Sequence, residues 1–221
     1  MATHEVLNQP PPLAGHDVFG SDTALREAVE REGAAWALAE LHDLGTRAGT
    51  PEAQELGRMA NANPPVLRTH DRYGHRVDAV AYHPAYHELM AVSVANGLHA
   101  APWSDARPGA HVARAAKVIT WYQVDGGHIC PISMTYSVVP ALRHNEGLAA
   151  EWEPRIVSRT YDPTDGPADG KAGATCGMAM TEKQGGSDVR ANTTTWLNEC
   201  AVVMSMIGCR VIPGRSIGQM K

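Results

Sequence analysis

The sequence predicts a mainly α-helical fold that passes into a β-rich unit towards its carboxyl end. Hydrophobic residues make up 43% of the 221 positions and charged residues 19%, a balance typical of globular proteins that bury a core. Apolar residues recur at helical spacing through residues 21–160, between proline and glycine stops. From Tyr161 onwards a turn-rich loop is followed by small and apolar residues, which indicates a change of structural class.

These changes divide the chain into four predicted segments. Residues 1–20 contain Pro10 to Pro12, and we expect an extended arm because a run of prolines cannot continue a helix. Residues 21–160 are expected to form a helical N-terminal domain and residues 161–194 the start of a β middle domain. Residues 195–221 form an apolar, β-prone tail of different character.

Capping residues and apolar stripes predict six helices. Ser21 and Gly45 bracket the first, Thr50 and Pro51 open the second, and His83 and Pro84 open the third. The alternating apolar residues within 66–82 are too few to predict a strand, whereas residues 172–180 fit one. The predicted helices cover about 22–44, 51–61, 84–98, 110–124, 131–142 and 152–159.

Charge and cysteine content exclude several classes of protein. The net charge is −5, the pI is about 6.1, and no Lys/Arg run is present, so the sequence does not favour nucleic acid or an anionic membrane as a partner. The four cysteines include no CxxC pair, and we expect them to be reduced thiols. Residues 1–20 lack the features of a signal peptide, and no run of about 18 apolar residues occurs. The expectation is a cytoplasmic protein with no membrane association.

The segment most suggestive of chemistry is a predicted strand that runs into a glycine turn. Thr181 offers a hydroxyl and an N–H at the end of the strand, and Gly185 and Gly186 let the main chain approach a ligand closely. The N–H groups around Ser187 can form an anion nest. A flat polar ring and a pyrophosphate could be held in this way, although an ordinary strand-to-loop turn explains the same spacing. The pattern fits neither a dinucleotide GxGxxG motif nor a Walker loop.

The stretch from Met180 to Asp188, MTEKQGGSD, resembles the T-E-x-x-x-G-S-D signature of acyl-CoA dehydrogenases. Lys183 and Gln184 within it resemble the adaptive-response AidB-like branch of that family. The resemblance extends over about residues 7–194. Further matching stretches are Asn8 to Pro10, Arg31 to Ala34, Asn63 to Pro65, His83 to His87, Ala113 to Ala116 and Cys130 to Thr135.

The resemblance implies an acyl-CoA dehydrogenase-like helical domain followed by the start of a β-barrel-like middle domain. It also implies FAD as cofactor, an acyl-CoA as candidate ligand and a homo-oligomer in the full-length family. The usual reaction removes a proton from Cα and a hydride from Cβ of the thioester, and the flavin takes the hydride. The implied cofactor-binding residues are Met178, Met180, Thr181, Gly185, Gly186 and Ser187.

The match ends at about Thr194, because Trp196 is followed by Leu197 and Asn198 instead of the family's flavin-covering element. No residue corresponds to the general base, which many members carry as a Glu on a C-terminal helix. A truncated or frameshifted reading frame is one hypothesis, and it makes the chain an incomplete, catalytically impaired flavoprotein for which DNA binding is not expected. The alternatives are a non-enzymatic helical interaction module, which uses the proline-rich arm, and a non-functional truncated product.

Three other features have competing interpretations. His83 and His87 have the i, i+4 spacing of a two-histidine metal site, but a helix start with two packed imidazoles explains them without a metal. Cys176 is either a reactive thiol or, as we favour, a small buried residue. Glu182 and Asp188 lie beside the candidate site and are better explained by turn capping or solvation than by catalysis. No metal site and no catalytic residue is predicted.

Overall fold

The computed structural model describes residues 3–178 together with Ser187 and Asp188. Within these residues the chain is predominantly helical, and a single β-hairpin interrupts the helices. The first half contains α1 (Val18–Ser21), α2 (Thr23–Arg31), α3 (Leu38–Ala48) and α4 (Pro51–Ala62). After the hairpin come α5 (Pro84–Ala95), α6 (Ala101–Ser104), α7 (Ala110–Tyr122), α8 (Ile129–Leu142) and α9 (Glu146–Ile156).

The single helix expected over residues 22–44 is wrong, because this region forms α2, a 3-10 turn at Ala35–Ala37 and α3. The break follows Gly33, whose φ of +76° ends α2 in a left-handed conformation that suits glycine. Asp22, not Ser21, caps α2 by accepting a hydrogen bond from the N–H of Leu25. The helix also does not stop at Gly45, because α3 continues through it to Ala48.

The remaining predicted helices are present with shifted ends. Thr50 caps α4 and His83 caps α5, as the Thr-Pro and His-Pro pairs predict. The last predicted helix begins at Glu146 instead of Trp152, because Asn145 caps it by accepting from the N–H of Leu148.

Residues 66–82, for which no strand was predicted, contain an antiparallel hairpin of β1 (Val66–His70) and β2 (Arg76–Ala81). Its turn is held by Asp71, whose side chain accepts from the N–H groups of Tyr73 and His75. All of β1 and half of β2 are exposed. A strand that buries one face alternates apolar and polar residues along the sequence. Neither strand here buries a complete face, so the sequence signal for a strand is weak.

Three clusters of buried apolar side chains form the core. The largest lies between α3, α4, α5, α7 and α8 around Trp121, and the second joins α1, α2, α3 and α7 around Phe19. The third packs α8 against α9 and includes Cys176 from the segment that follows them. This third cluster determines where the chain runs as it leaves the helices.

The strand predicted over 172–180 is not observed among the described residues. Residues 171–178 are irregular and pair with no strand in the part of the chain that the structure covers, while residues 179 and 180 lie outside it. Main-chain N–H groups of this segment donate hydrogen bonds to α8 and α9 instead of to a neighbouring strand. Among the helices described, none is long and apolar enough to cross a bilayer.

Candidate functional site

The segment that leads into the candidate flavin motif is fixed to the helical domain at three alternate residues. The N–H of Ala174 donates to the carbonyl of Arg155 at 3.1 Å, and the N–H of Cys176 donates to Thr135 Oγ1 at 2.9 Å. The N–H of Met178 lies 3.2 Å from Met134 Sδ. Every second amide therefore faces the helices, and we call residues 174–178 the anchored strip.

The hydroxyl of Thr135 holds the middle of the anchored strip and acts as both a hydrogen-bond donor and an acceptor. It is completely buried on α8 and donates to the carbonyl of Pro131 at 2.7 Å while it accepts from Cys176. A hydroxyl can donate one hydrogen bond and accept others, so a single side chain satisfies both main-chain groups. Without it the buried N–H of Cys176 would lack an acceptor, which is costly.

The thiol of Cys176 packs into the apolar cluster between α8 and α9. It is 3% exposed, and burial raises its pKa to about 12. Because this pKa is far above neutral pH, Cys176 stays a protonated apolar side chain. The thiolate is the nucleophilic form of cysteine, so the buried thiol is unreactive. Of the two interpretations of Cys176, the structure favours the buried structural residue.

Two of the six predicted cofactor-binding residues lie in the described part of the chain. Met178 is 49% exposed at the end of the anchored strip, and Ser187 is exposed in a turn. Met180, Thr181, Gly185 and Gly186 lie outside the described residues, as does Glu182. Their convergence on a flavin therefore stays a prediction.

A recess lies beside the anchored strip, between His99, Tyr161 and Lys171. Its volume is about 10 Å³, room for a single water molecule. Lys171 is 6% exposed and donates through Nζ to the carbonyl of Thr164 at 2.5 Å. The recess is thus a packed junction of the 161–171 loop with the helices and is too small to be a cofactor pocket.

His99 is the buried imidazole of this junction. Its Nε2 lies 2.9 Å from the carbonyl of Ser158, which can only accept, so Nε2 carries the proton. Burial, together with the smaller effect of the nearby charges of Arg159 and Arg114, lowers the pKa of His99 to about 4. His99 is therefore neutral in the folded chain at neutral pH.

His83 and His87 are both engaged in hydrogen bonds within the protein. His83 Nδ1 accepts from the N–H of Ala85 as the cap of α5, and His87 Nδ1 lies 2.8 Å from the hydroxyl of Tyr161. Over residues 3–178 and 187–188, no group of three His, Cys, Asp or Glu side chains could hold a metal ion. Capping and packing account for the i, i+4 spacing.

A buried polar row that sequence reasoning missed connects α5 to the turn before α8. His128 Nδ1 lies 2.8 Å from Asp125 Oδ2, and His128 Nε2 lies 3.0 Å from Ser93 Oγ. The hydrogen bonds from His128 lower the pKa of Asp125. Ser93 and His128 are at most 1% exposed and Asp125 is 9% exposed, so the row joins two elements inside the core.

The helical domain, its hairpin and the anchored strip define an acyl-CoA dehydrogenase-like N-terminal region. The fold is similar to Bd2924 in its apo form, with a TM-score of 0.70 at 27% identity over 83% of this chain and 36% of that one. It is also similar to Caenorhabditis elegans ACDH-11 in complex with C11-CoA, with a TM-score of 0.69 at 26% identity over 85% of this chain and 32% of that one.

Residues 8–163 match the family model of the adaptive response protein AidB N-terminal domain, and the chain belongs to this family. It is 47% identical to AidB of Escherichia coli (strain K12) over 196 residues, which are 87% of this chain and 36% of that protein. It is 30% identical to acyl-CoA dehydrogenase family member 11 of Caenorhabditis elegans over 182 residues, 79% of this chain and 28% of that protein. The chain spans about a third of the length of these relatives.

Proposed function

We propose that this chain is the N-terminal part of an AidB-type acyl-CoA dehydrogenase-like flavoprotein and contributes one wall of an FAD site. That wall consists of Met178, Met180, Thr181, Gly185, Gly186 and Ser187. Bound FAD would supply a hydride acceptor for an acyl-CoA thioester, and the chain's own contribution is to bind and orient the flavin. Because no residue here corresponds to the family's general base, we expect little or no dehydrogenase activity from these 221 residues by themselves.

The observation that supports the proposal is the anchored strip. Three hydrogen bonds hold its alternate residues against α8 and α9, so the chain enters the MTEKQGGSD motif from a fixed position on a rigid domain. Half-exposed Met178 offers an apolar contact, and exposed Ser187 offers a hydroxyl. These are the groups that suit a flat ring with apolar faces and a polar edge.

The test is thermal unfolding of the chain with and without FAD, together with flavin fluorescence. A ligand that binds only the native state stabilises it by mass action, by about 2.7 kcal/mol at a concentration one hundred times its Kd. We expect Thr181→Ala to reduce the FAD-dependent rise in Tm. Thr69→Ala, on the exposed strand β1, is the matched control and should leave that rise intact. If saturating FAD changes neither Tm nor fluorescence, the flavin proposal is wrong.

Acyl-CoA is the ligand class proposed for the complete site, because the solved structure of ACDH-11 contains C11-CoA. Self-association is proposed as well, because exposed apolar side chains occur on the hairpin and on the arm before α1. A second copy of this chain is the partner that the family resemblance implies.

A further inference from the structure

A pocket rich in positive charge lies on the side of the domain formed by α3, α6 and α7. Its volume is about 60 Å³. Four cationic side chains line it, and two carboxylates reduce the excess to two positive charges. The cations are Arg107, Arg114, Lys117 and Arg159, and the carboxylates are Glu40 and Asp105. This local excess contrasts with the net charge of −5 of the whole chain.

Main-chain carbonyls at the end of α5 bring three of the cations together. Arg159 Nη1 donates to the carbonyl of Ala95 at 3.4 Å, Lys117 Nζ to that of Asn96 at 3.3 Å, and Arg114 Nε to that of Leu98 at 2.7 Å. Cations at this position also complement the negative end of the helix dipole.

Helix capping does not use all the donors of these cations. A guanidinium has five N–H donors in a planar fork, and Arg114 uses one of them on Leu98 while its plane lies 3.8 Å from the centre of the Tyr136 ring. Arg114 Nη2 is buried and has no hydrogen-bond partner. A buried guanidinium nitrogen without an acceptor is unfavourable, so an acceptor that reaches Arg114 Nη2 would relieve a cost that is already present.

Contacts with neighbouring side chains hold Arg107 and Lys117 in place. Arg107 stacks 3.3 Å from the centre of the Trp36 ring, while the indole N–H of Trp36 donates to the carbonyl of Pro108 at 3.0 Å. The side chain of Lys117 is 5% exposed and is hydrogen-bonded to Glu40. That hydrogen bond lowers the pKa of Glu40, and the charges of Lys117, Arg159 and Arg107 lower it further. Arg107 also forms an ion pair with Asp105, with 3.1 Å between Nη2 and Oδ2, so both carboxylates of the pocket lie against its cations.

We infer that this pocket binds a phosphate group, either as inorganic phosphate or as the terminal group of a phosphomonoester. Arginine forks that approach from several sides suit a tetrahedral, doubly charged oxyanion better than a single carboxylate. Two positive charges in excess match the charge of the dianion. No residue of the pocket belongs to the proposed flavin wall, and the inference does not depend on that proposal.

The test is isothermal titration of the 221-residue chain with inorganic phosphate, supported by Tm measurements in phosphate and in chloride at equal ionic strength. We expect saturable binding and a phosphate-specific rise in Tm. Arg107→Gln and Arg159→Gln, both at exposed positions, should each weaken binding about tenfold, the loss expected for one charge-assisted hydrogen bond. Arg68→Gln on the exposed hairpin makes the same change in net charge and should bind phosphate like the parent chain.

A variant that is expected to strengthen binding is needed as well, because weaker binding could also result from loss of folding. Glu40→Gln keeps a hydrogen-bond acceptor for Lys117 but removes a negative charge from the pocket, so it should bind phosphate more tightly. Adenosine monophosphate in place of phosphate distinguishes the two sources, since only a phosphomonoester site would favour it. The inference is overturned if phosphate gives no saturable heat, or if Arg68→Gln weakens binding as much as Arg107→Gln. It is also overturned if a DNA oligonucleotide binds while phosphate does not.

Discussion

At the scale of single residues, burial determines which ionisable groups respond to pH. His99 is neutral in the folded chain, with a pKa near 4 against 6.5 for the free side chain. In the unfolded chain it takes up a proton as the pH falls through 6.5, whereas the folded chain resists protonation until about pH 4. As the pH falls from 6.5 to 4, the contribution of this group should therefore lower the free energy of unfolding by up to about 3 kcal/mol. Below pH 4 this contribution should stop changing.

The variant that checks this prediction is His99→Gln, whose side-chain amide can still donate to the carbonyl of Ser158. We expect its unfolding free energy, measured by urea denaturation between pH 4 and pH 7, to depend on pH less steeply than that of the parent chain. His4→Gln, at an exposed position in the arm, should reproduce the parent profile. Equal slopes for the parent and His99→Gln would show that folding does not lower the pKa of His99.

At the scale of helices, close approach of main chains limits which glycines can be replaced. A Cβ on Gly57 of α4 would lie 2.0 Å from the carbonyl oxygen of Val124, which no side-chain rotation can relieve. Gly57→Ala should therefore cost about 1–3 kcal/mol despite the higher helix propensity of alanine. Gly147→Ala in α9 meets nothing closer than 3.5 Å and should gain up to about 1 kcal/mol. Chemical denaturation of both variants checks the contrast, and a Gly57→Ala variant as stable as the parent would contradict it.

Helix starts could be predicted from the sequence where a capping residue precedes proline. Thr50 with Pro51 and His83 with Pro84 correctly give the first residues of α4 and α5. The break at Gly33 was missed because apolar residues continue at helical spacing on both sides of it, and only the φ of +76° reveals the change in direction. The hairpin was missed for the opposite reason, since its exposed strands carry little periodic signal.

The two candidate sites differ in how far the sequence could predict them. The flavin wall could be proposed from the sequence because four of its six residues lie within one family motif from Thr181 to Asp188, and the wall itself stays a prediction. The phosphate pocket could not be found, since Arg107, Arg114, Lys117 and Arg159 are scattered along the chain. Carbonyls at the end of α5 gather three of them, and this is a consequence of tertiary structure alone.

At the scale of the whole molecule, the exposed apolar residues predict association with a second copy. Leu67 is 63% exposed and Tyr73 is 72% exposed on the hairpin. Size-exclusion chromatography with light scattering should show a dimer or larger species, and the double variant Leu67→Ser with Tyr73→Ser should shift it towards the monomer. Ile119→Ser, at an exposed apolar position on α7, is the control and should not shift it. A monomeric parent chain at high concentration would refute this prediction.

The row of Ser93, His128 and Asp125 has the hydrogen-bond order of a serine hydrolase, yet the hydroxyl is sealed inside the core. A nucleophile must be reachable by its electrophile, so an activity probe of the fluorophosphonate type finds no target there while the chain is folded. Separation of α5 from the turn before α8 would expose Ser93 but would also remove it from His128, so the hydroxyl would lose the base that could activate it. The contact that could activate the serine is therefore the same contact that keeps it out of reach.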